Sequence, residues 1–132
     1  MNGGVILAAI GQLIGDAHSI WRWVALVVAI VAVGKALMGW LGKQPWTQLD
    51  NRLGMLFTIA IDVQVLLGIL AWLIGPFNFT QLSGAMGNPF LRFVLLEHPI
   101  MGLLAVALAH IGRSRSRKAA TCLLYTSPSP RD

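Results

Sequence analysis

Long apolar runs broken by short polar segments dominate the chain. Three of these runs are long enough to cross a bilayer, which takes about 20 apolar residues in a helix. We predict transmembrane helices at about residues 19–41, 53–75 and 90–112. Gly75 and Pro76 end the second, because proline cannot continue the hydrogen-bond ladder of a helix. The pattern predicts an all-α integral membrane bundle of three transmembrane helices.

A shorter apolar segment precedes the first predicted helix. Residues 1–15 supply about half the length of a membrane span. They either extend the first helix outward or lie in the membrane interface. The segment does not resemble a signal peptide, because it has no basic start and Gln12 interrupts its apolar run. We expect residues 1–121 to form a single transmembrane domain.

The composition agrees with a membrane protein. The chain is 56% hydrophobic and only 11% charged, with a mean hydropathy of +0.71. Its net charge of +5 does not indicate a nucleic-acid partner, because the basic residues gather at the ends of apolar runs instead of covering one surface. The expected partner is therefore the lipid bilayer.

The distribution of basic residues predicts the orientation of the helices. The loop at 42–52 carries Lys43 and Arg52, and the segment RSRSRK at 113–118 carries four more basic residues. On the other side, only Arg92 is basic. Cytoplasmic loops are enriched in Lys and Arg, so we expect a bacterial inner-membrane protein with its N-terminus outside and its C-terminus in the cytoplasm.

Tryptophans near the predicted helix ends fit this orientation. Trp and Tyr are enriched at both membrane interfaces. We expect Trp21, Trp23 and Trp72 at the outer interface, and Trp40 and Trp46 at the inner one.

The last eleven residues, CLLYTSPSPRD at 122–132, differ from everything before them. They resemble the translation of a sequencing-library adapter and would then be non-native. A short disordered tail would have a similar composition. The only cysteine, Cys122, lies in this tail, so neither a disulfide nor covalently attached haem is predicted.

Each predicted helix carries a stripe of small residues. Helices in membranes associate largely through such residues, because they allow close approach of the backbones. The first stripe comprises His18, Arg22, Ala25, Ala29, Ala32, Ala36 and Gly39. The second comprises Gly54, Thr58, Val65, Gly68, Trp72 and Gly75. The third comprises His98, Gly102, Ala105, Ala109 and Gly112. The first and third helices run in the same direction, so we expect His18 and His98 to face each other near the outer ends.

These two histidines suggest a haem site. Ionisable residues within membrane spans are candidates for function by default. Imidazoles from two facing helices hold the iron of haem b without a covalent link. Arg22 lies one turn below His18, where it would pair with a haem propionate or with Glu97. This interpretation assigns His18 and His98 as the metal ligands.

A second interpretation needs no cofactor. In it, Arg22 and Glu97 form an ion pair between helices, and His18 and His98 are its hydrogen-bond partners. Pro99 is compatible with both interpretations: it leaves a carbonyl one turn earlier without a donor, and the resulting kink either makes room beside His98 or is purely structural. A third interpretation is proton or ion handling.

Four further polar residues lie within the predicted spans. Asp62 falls near mid-membrane and must be paired, protonated or lining a cavity. Lys35 lies at a similar predicted depth, so we expect a Lys35–Asp62 pair, with snorkelling of Lys35 as the alternative. Gln64 is expected to bond to a neighbouring helix. For His110, a place at the inner interface beside the basic segment is favoured.

Four segments carry a resemblance to a family. They are HSIWRW at 18–23, GWLGKQPWTQLDNRLG at 39–54, DVQVLLGIL at 62–70 and LEHPIMGLLAVALAHIGRSRSRKA at 96–119. Together they resemble small bacterial membrane proteins labelled cytochrome b-like. The positions that the resemblance singles out are His18, Arg22, Asp62, Gln64, Glu97 and His98.

We expect a protein that holds one haem b and passes electrons between a quinone or a partner subunit and another redox centre. The chain has three histidines, so it can supply two ligands to one haem at most. Three helices barely enclose a haem, and a homodimer or a larger membrane complex is therefore implied. The competing function is a non-enzymatic scaffold or accessory subunit. We therefore expect an electron-transfer or accessory protein more than a catalyst.

Overall fold

The computed structural model describes residues 2–126, with side chains to residue 119, and every regular element among them is helical. The elements in chain order are α1 (Gly3–Leu41), α2 (Gln48–Ile74), a 3₁₀ helix (Phe79–Gly87), α3 (Pro89–Arg92), a π turn (Phe93–Glu97) and α4 (His98–Thr126). The predicted all-α fold is confirmed.

Three helical stretches are long and apolar enough to cross a membrane. They are Gly3–Leu41, Gln48–Ile74 and the continuous stretch Pro89–Ala119, which joins α3, the π turn and α4. The protein is therefore a membrane protein with three transmembrane helices, as the sequence predicts. Helix α4 continues through residues 122–126 of the predicted tail, and residues 127–132 lie outside the described part of the chain.

Helix α1 begins sixteen residues before its predicted start at residue 19, because the N-terminal apolar segment continues it. The Asn2 side chain caps this end by accepting a hydrogen bond from the Val5 N–H at 2.9 Å. Gln12 and Asp16 do not interrupt the helix, since they bond to each other one turn apart at 3.1 Å. Of the two alternatives for this segment, the structure has the helical extension.

Helix α2 packs against both α1 and α4. It begins with a capping box, in which Thr47 and Asp50 each bond to the other's backbone N–H. Near its far end, α1 crosses so closely that a Cβ at Gly11 would overlap the carbonyl of Ile74. Glycine at this position therefore sets how closely the two backbones approach.

The segment between α2 and α4 consists of short helical turns at one end of the bundle. Asn78 caps the 3₁₀ helix and Asn88 caps α3, each through its side-chain oxygen. Ala85 and Leu95 are fully buried beneath them. These caps satisfy backbone groups that would otherwise lack partners at the helix ends.

Pro99 has the backbone effect expected of it. A proline at this position cannot donate to the carbonyl of Leu95, four residues earlier. The structure has a π turn at Phe93–Glu97, and the Trp72 Nε1–H donates to the Leu95 carbonyl at 3.0 Å. A side chain of α2 therefore replaces the missing bond and ties the two helices together.

The predicted packing stripes are correct for α2 and partly correct for the other helices. All six stripe residues of α2 are buried or half-buried. On α1, Arg22 and Ala36 are exposed, and Trp21 and Lys35 lie in the packed face instead. On α4, the packed face includes Val106 and Arg113 in place of Ala105 and Gly112. Long side chains that bond to α2 shift these faces by one residue.

Candidate functional site

His18 and His98 face each other across the bundle, as the stripes predict. His18 lies on α1 and His98 is the first residue of α4. Their ring centres are 6.2 Å apart and their planes are inclined by 62°. Two imidazoles from different helices are therefore brought together at one place.

The backbone of α2 fixes the ring of His18. Its Nδ1 lies 3.1 Å from the carbonyl oxygen of Gln64. A carbonyl only accepts, so Nδ1 carries the proton and Nε2 is left with a free lone pair. The ring also lies over Gly68, where an added Cβ would come within 3.0 Å of the His18 Cε1. Glycine at this position makes room for the imidazole.

The ring of His98 is more open. The residue is exposed and packs against Phe93, whose ring centre is 5.7 Å away. Gly102 lies one turn further along α4, and a Cβ there would meet nothing within 4 Å. Space is therefore available beside His98 on the open side of the bundle.

Gln64 contributes an unusual buried atom. Its backbone carbonyl, and not its side chain, makes the bond to a neighbouring helix, at His18. Its side-chain oxygen Oε1 is buried and has no hydrogen-bond partner among the described residues. Buried polar atoms in proteins are nearly always bonded, so this acceptor is available to a donor that the chain itself does not supply.

The expected pair between Arg22 and Glu97 is not formed. The Arg22 guanidinium lies over the ring of Trp23, 5.0 Å from its centre. Glu97 Oε1 is 3.7 Å from Arg92 Nε, a neighbour across the π turn on its own helix. The pair fails because Arg22 lies on the exposed side of α1.

The depth predicted for the start of the first span needs correction. The Trp21 Nε1–H donates to the carbonyl of Ala60 at 2.8 Å, which places this ring beside the middle of α2 and not at an interface. His18 likewise contacts α2 at Gln64 and Gly68, well before its end at Ile74. The reason is the length of α1, because residues 18 and 21 lie inside this helix and not at its tip.

The expected Lys35–Asp62 pair is wrong. Lys35 Nζ instead lies 2.8 Å from Asp50 Oδ1, and the Asp50 side chain is only 5% exposed. Helices α1 and α2 are antiparallel, so a residue near the end of α1 lies beside the start of α2. Asp62 is twelve residues further along, about 18 Å away at 1.5 Å per residue.

Asp62 pairs with His110. Asp62 Oδ1 lies 2.6 Å from His110 Nε2, and the two side chains are 44% and 54% exposed. Of the alternatives for Asp62, the structure has the paired state. His110 lies beside the middle of α2 and not at the interface next to the basic segment. The position of His110 along its own helix did not reveal this contact, because its partner, Asp62, lies on α2.

Several polar contacts were not anticipated. These contacts are Trp21 with Ala60, Trp72 with Leu95, Lys35 with Asp50, and Arg113 with Asn51 at 2.7 Å. A signal existed for Asp50, since it lies three residues after Thr47 in a capping-box pattern. For the tryptophans the signal was weaker: an indole N–H inside a membrane span needs an acceptor.

Within the described side chains, no group of three or more His, Cys, Asp or Glu residues could hold a metal ion. The candidate site therefore offers two imidazoles. Two protein ligands suit a metal whose remaining ligands come from a cofactor. The chain matches no protein-family model, no curated protein and no solved structure.

Proposed function

We propose that this chain is a cytochrome b-like electron-transfer protein of the bacterial inner membrane, with one haem b held by His18 and His98. The observation that carries this proposal is the 6.2 Å separation of two imidazole centres from different helices. An imidazole nitrogen lies about 2 Å from a bound metal, so two rings on opposite sides of one ion have centres roughly 6 Å apart. The separation thus suits two imidazoles that would hold one haem iron between them.

The surroundings of His18 also fit this role. Histidines that bind metals usually donate their other ring N–H to a carbonyl or carboxylate, which fixes the tautomer and the ring orientation. The Gln64 carbonyl makes that bond here and leaves the His18 Nε2 free. When bound, haem supplies one-electron redox chemistry, with a potential that depends on its ligands and their hydrogen bonds.

Other residues have supporting roles in the proposal. Arg22 is exposed one turn from His18, where its guanidinium can leave Trp23 and pair with a propionate. Glu97 precedes the other ligand, His98, and its carboxylate is held near the Arg92 guanidinium. Gly68 and Gly102 keep space near the two rings.

The proposal includes partners and an orientation. His98 is exposed and Gly102 borders open space, so one protomer covers a haem incompletely. We therefore propose a homodimer or a larger membrane complex, with electrons exchanged with a quinone or a redox subunit. The basic residues at 113–118 support an orientation with the C-terminus in the cytoplasm and the N-terminus outside.

A non-enzymatic accessory subunit is the second candidate, and one observation favours it. Side chains of α1 and α2 bond to backbone carbonyls of neighbouring helices at His18, Trp21 and Trp72. Such bonds hold a membrane bundle together without any cofactor. The ion pair between Arg22 and Glu97, which this interpretation also required, is missing.

A visible spectrum separates the two candidates. The chain would be produced in cells supplied with haem and purified in detergent. A low-spin haem spectrum is expected, which His18→Ala and His98→Ala should each abolish. Added imidazole should restore it in both variants, because the free ligand replaces the missing ring. His110→Ala is the matched control and should keep the spectrum. A colourless, folded wild-type protein would reject haem binding and leave the accessory function.

A further inference from the structure

The Asp62–His110 pair lies on an open surface in the middle of a transmembrane helix. Both side chains are about half exposed. Asp62 is near the centre of α2, where charged side chains are costly and normally face protein or a polar cavity. In the described part of the chain, the Asp62 Oδ2 and the His110 Nδ1 have no hydrogen-bond partner. When His110 is protonated at both ring nitrogens, as an ion pair with Asp62 requires, the pair presents one open acceptor, Asp62 Oδ2, and one open donor, His110 Nδ1.

This surface is separate from the His18–His98 site. Each residue of an α-helix is rotated by about 100° from the one before it, so Asp62 lies almost opposite Gln64. Gln64 contacts His18 on α1. Asp62 points away from α1, on the side of α2 that borders α4. A partner on this surface would therefore lie away from the His18 ring.

The exposed residues around Asp62 form a regular seam. They are Met55, Ile59, Leu66, Ile69 and Leu73, each between 43% and 58% exposed. With Asp62 included, the spacing alternates between four and three residues. This is the heptad spacing of helices that pack side by side with a left-handed crossing, in membranes as in coiled coils. A polar residue within such a seam fixes the register and the number of helices.

We propose that this seam, Met55–Leu73 with Asp62 at its centre, is the interface with a second copy of the chain, related by a two-fold axis along the membrane normal. In a two-fold interface, a contact from one residue to a second is always matched by the reverse contact. The open acceptor of Asp62 then accepts from His110 of the partner subunit, and the open donor of His110 binds the partner's Asp62. Asp62 and His110 of the two copies then form a closed ring of hydrogen bonds, in which every polar atom has a partner.

A second copy fits this surface better than a small polar ligand. A ligand head group would cover only Asp62 and His110. The apolar residues of the seam extend for about two turns on one side of Asp62 and about three on the other, a length that suits another helix. The open donor and acceptor are also complementary to themselves, so no other chain is needed to satisfy them.

Cysteine cross-linking tests the position of the interface. In full-length chains with Cys122→Ser, Leu66→Cys would be oxidised in membranes and compared with Ile30→Cys. Both positions are about equally exposed, at 58% and 63%, but Ile30 lies on α1 outside the seam. We expect a disulfide-linked dimer for Leu66→Cys only. Equal cross-linking of the two variants, or none at Leu66→Cys, would overturn the proposal.

The polar ring is tested by the dimer dissociation constant, measured by energy transfer between labelled chains in lipid vesicles. Asp62→Leu should raise this constant about tenfold, as expected for two hydrogen bonds between helices lost together. Arg92→Gln is the control and should leave it unchanged. Helicity measured by circular dichroism verifies that each variant is folded. A wild-type chain that stays monomeric, or a constant unaffected by Asp62→Leu, would reject the proposal. Neither result bears on haem binding.

Discussion

The two interfaces of α2 are built differently. Toward α1, the backbones approach closely where Gly11 lies against the end of α2, and the His18 ring packs over Gly68. Three side chains of α1 also bond to α2: His18, Trp21 and Lys35. Toward α4, long side chains make the contacts. Those side chains belong to Trp72, Asp62, His110 and Arg113. Helix α2 is therefore held to α1 by close packing together with polar bonds, and to α4 by polar bonds between long side chains.

This difference has a physical cause and a consequence. Lipid is as apolar as the helices, so only close packing or polar bonds can hold them together. A closely packed interface has no room for extra atoms. An interface of spaced polar bonds leaves half-exposed groups and open space, as at His98 and Asp62. Both candidate interaction surfaces of this protein use residues from the second kind of interface.

The largest effect is expected where the backbones are closest. Gly11→Ala places a Cβ in the Ile74 carbonyl, and the helices must separate locally. We expect a loss of about 3 kcal/mol in the free energy of unfolding, at the upper end for overpacking. Gly34→Ala is the control, since its Cβ meets nothing within 4 Å, and it should be neutral or slightly stabilising. Unfolding in detergent, followed by circular dichroism, measures both. Equal stability of the two variants would contradict this account of the interface.

The next effect concerns a buried charge at the α1–α2 interface, Asp50. Lys35→Met removes the partner of Asp50, whose carboxylate is only 5% exposed. We expect a loss of about 2 kcal/mol in stability, typical of a hydrogen bond between charged groups. The same unfolding measurement applies. Adding Asp62→Leu should not rescue the variant, because Asp62 bonds to His110. Rescue would indicate that Lys35 and Asp62 interact after all.

The sequence predicted the parts of the fold that depend on local pattern. Apolar length gave the three membrane helices, and small residues gave the packed face of α2. The position of Pro99 identified the carbonyl of Leu95 as lacking a donor. The sequence did not reveal which side chain would supply the missing donor, because Trp72 is far away in the chain.

The site was predictable only in part, for a related reason. His18 and His98 head small-residue stripes on parallel helices, and this was enough to bring them together. The partners of Lys35 and Asp62 depend on how far α1 and α2 slide past each other. That offset is set by contacts such as Gly11 with Ile74, and depth estimated from helix ends cannot supply it.

The smallest effect is expected on the α4 side, at the carbonyl that Pro99 leaves free. Trp72→Phe keeps the ring but loses the Nε1–H that donates to Leu95. We expect a loss of about 1 kcal/mol in the free energy of unfolding. Trp21→Phe is the matched control. It removes a similar bond to the Ala60 carbonyl. That carbonyl also accepts from a backbone N–H one turn later in α2, so the loss of stability should be smaller.

A second substitution makes this prediction specific to Pro99. In a chain with Pro99→Ala, residue 99 regains an N–H that can donate to the Leu95 carbonyl. Trp72→Phe should then cost much less than it does beside Pro99, because the acceptor is no longer left without a donor. A double-mutant cycle of unfolding free energies measures the difference directly. If Trp72→Phe costs the same in both backgrounds, the indole contributes through packing alone, and the α2–α4 interface resembles the α1–α2 interface more than the hydrogen bonds indicate.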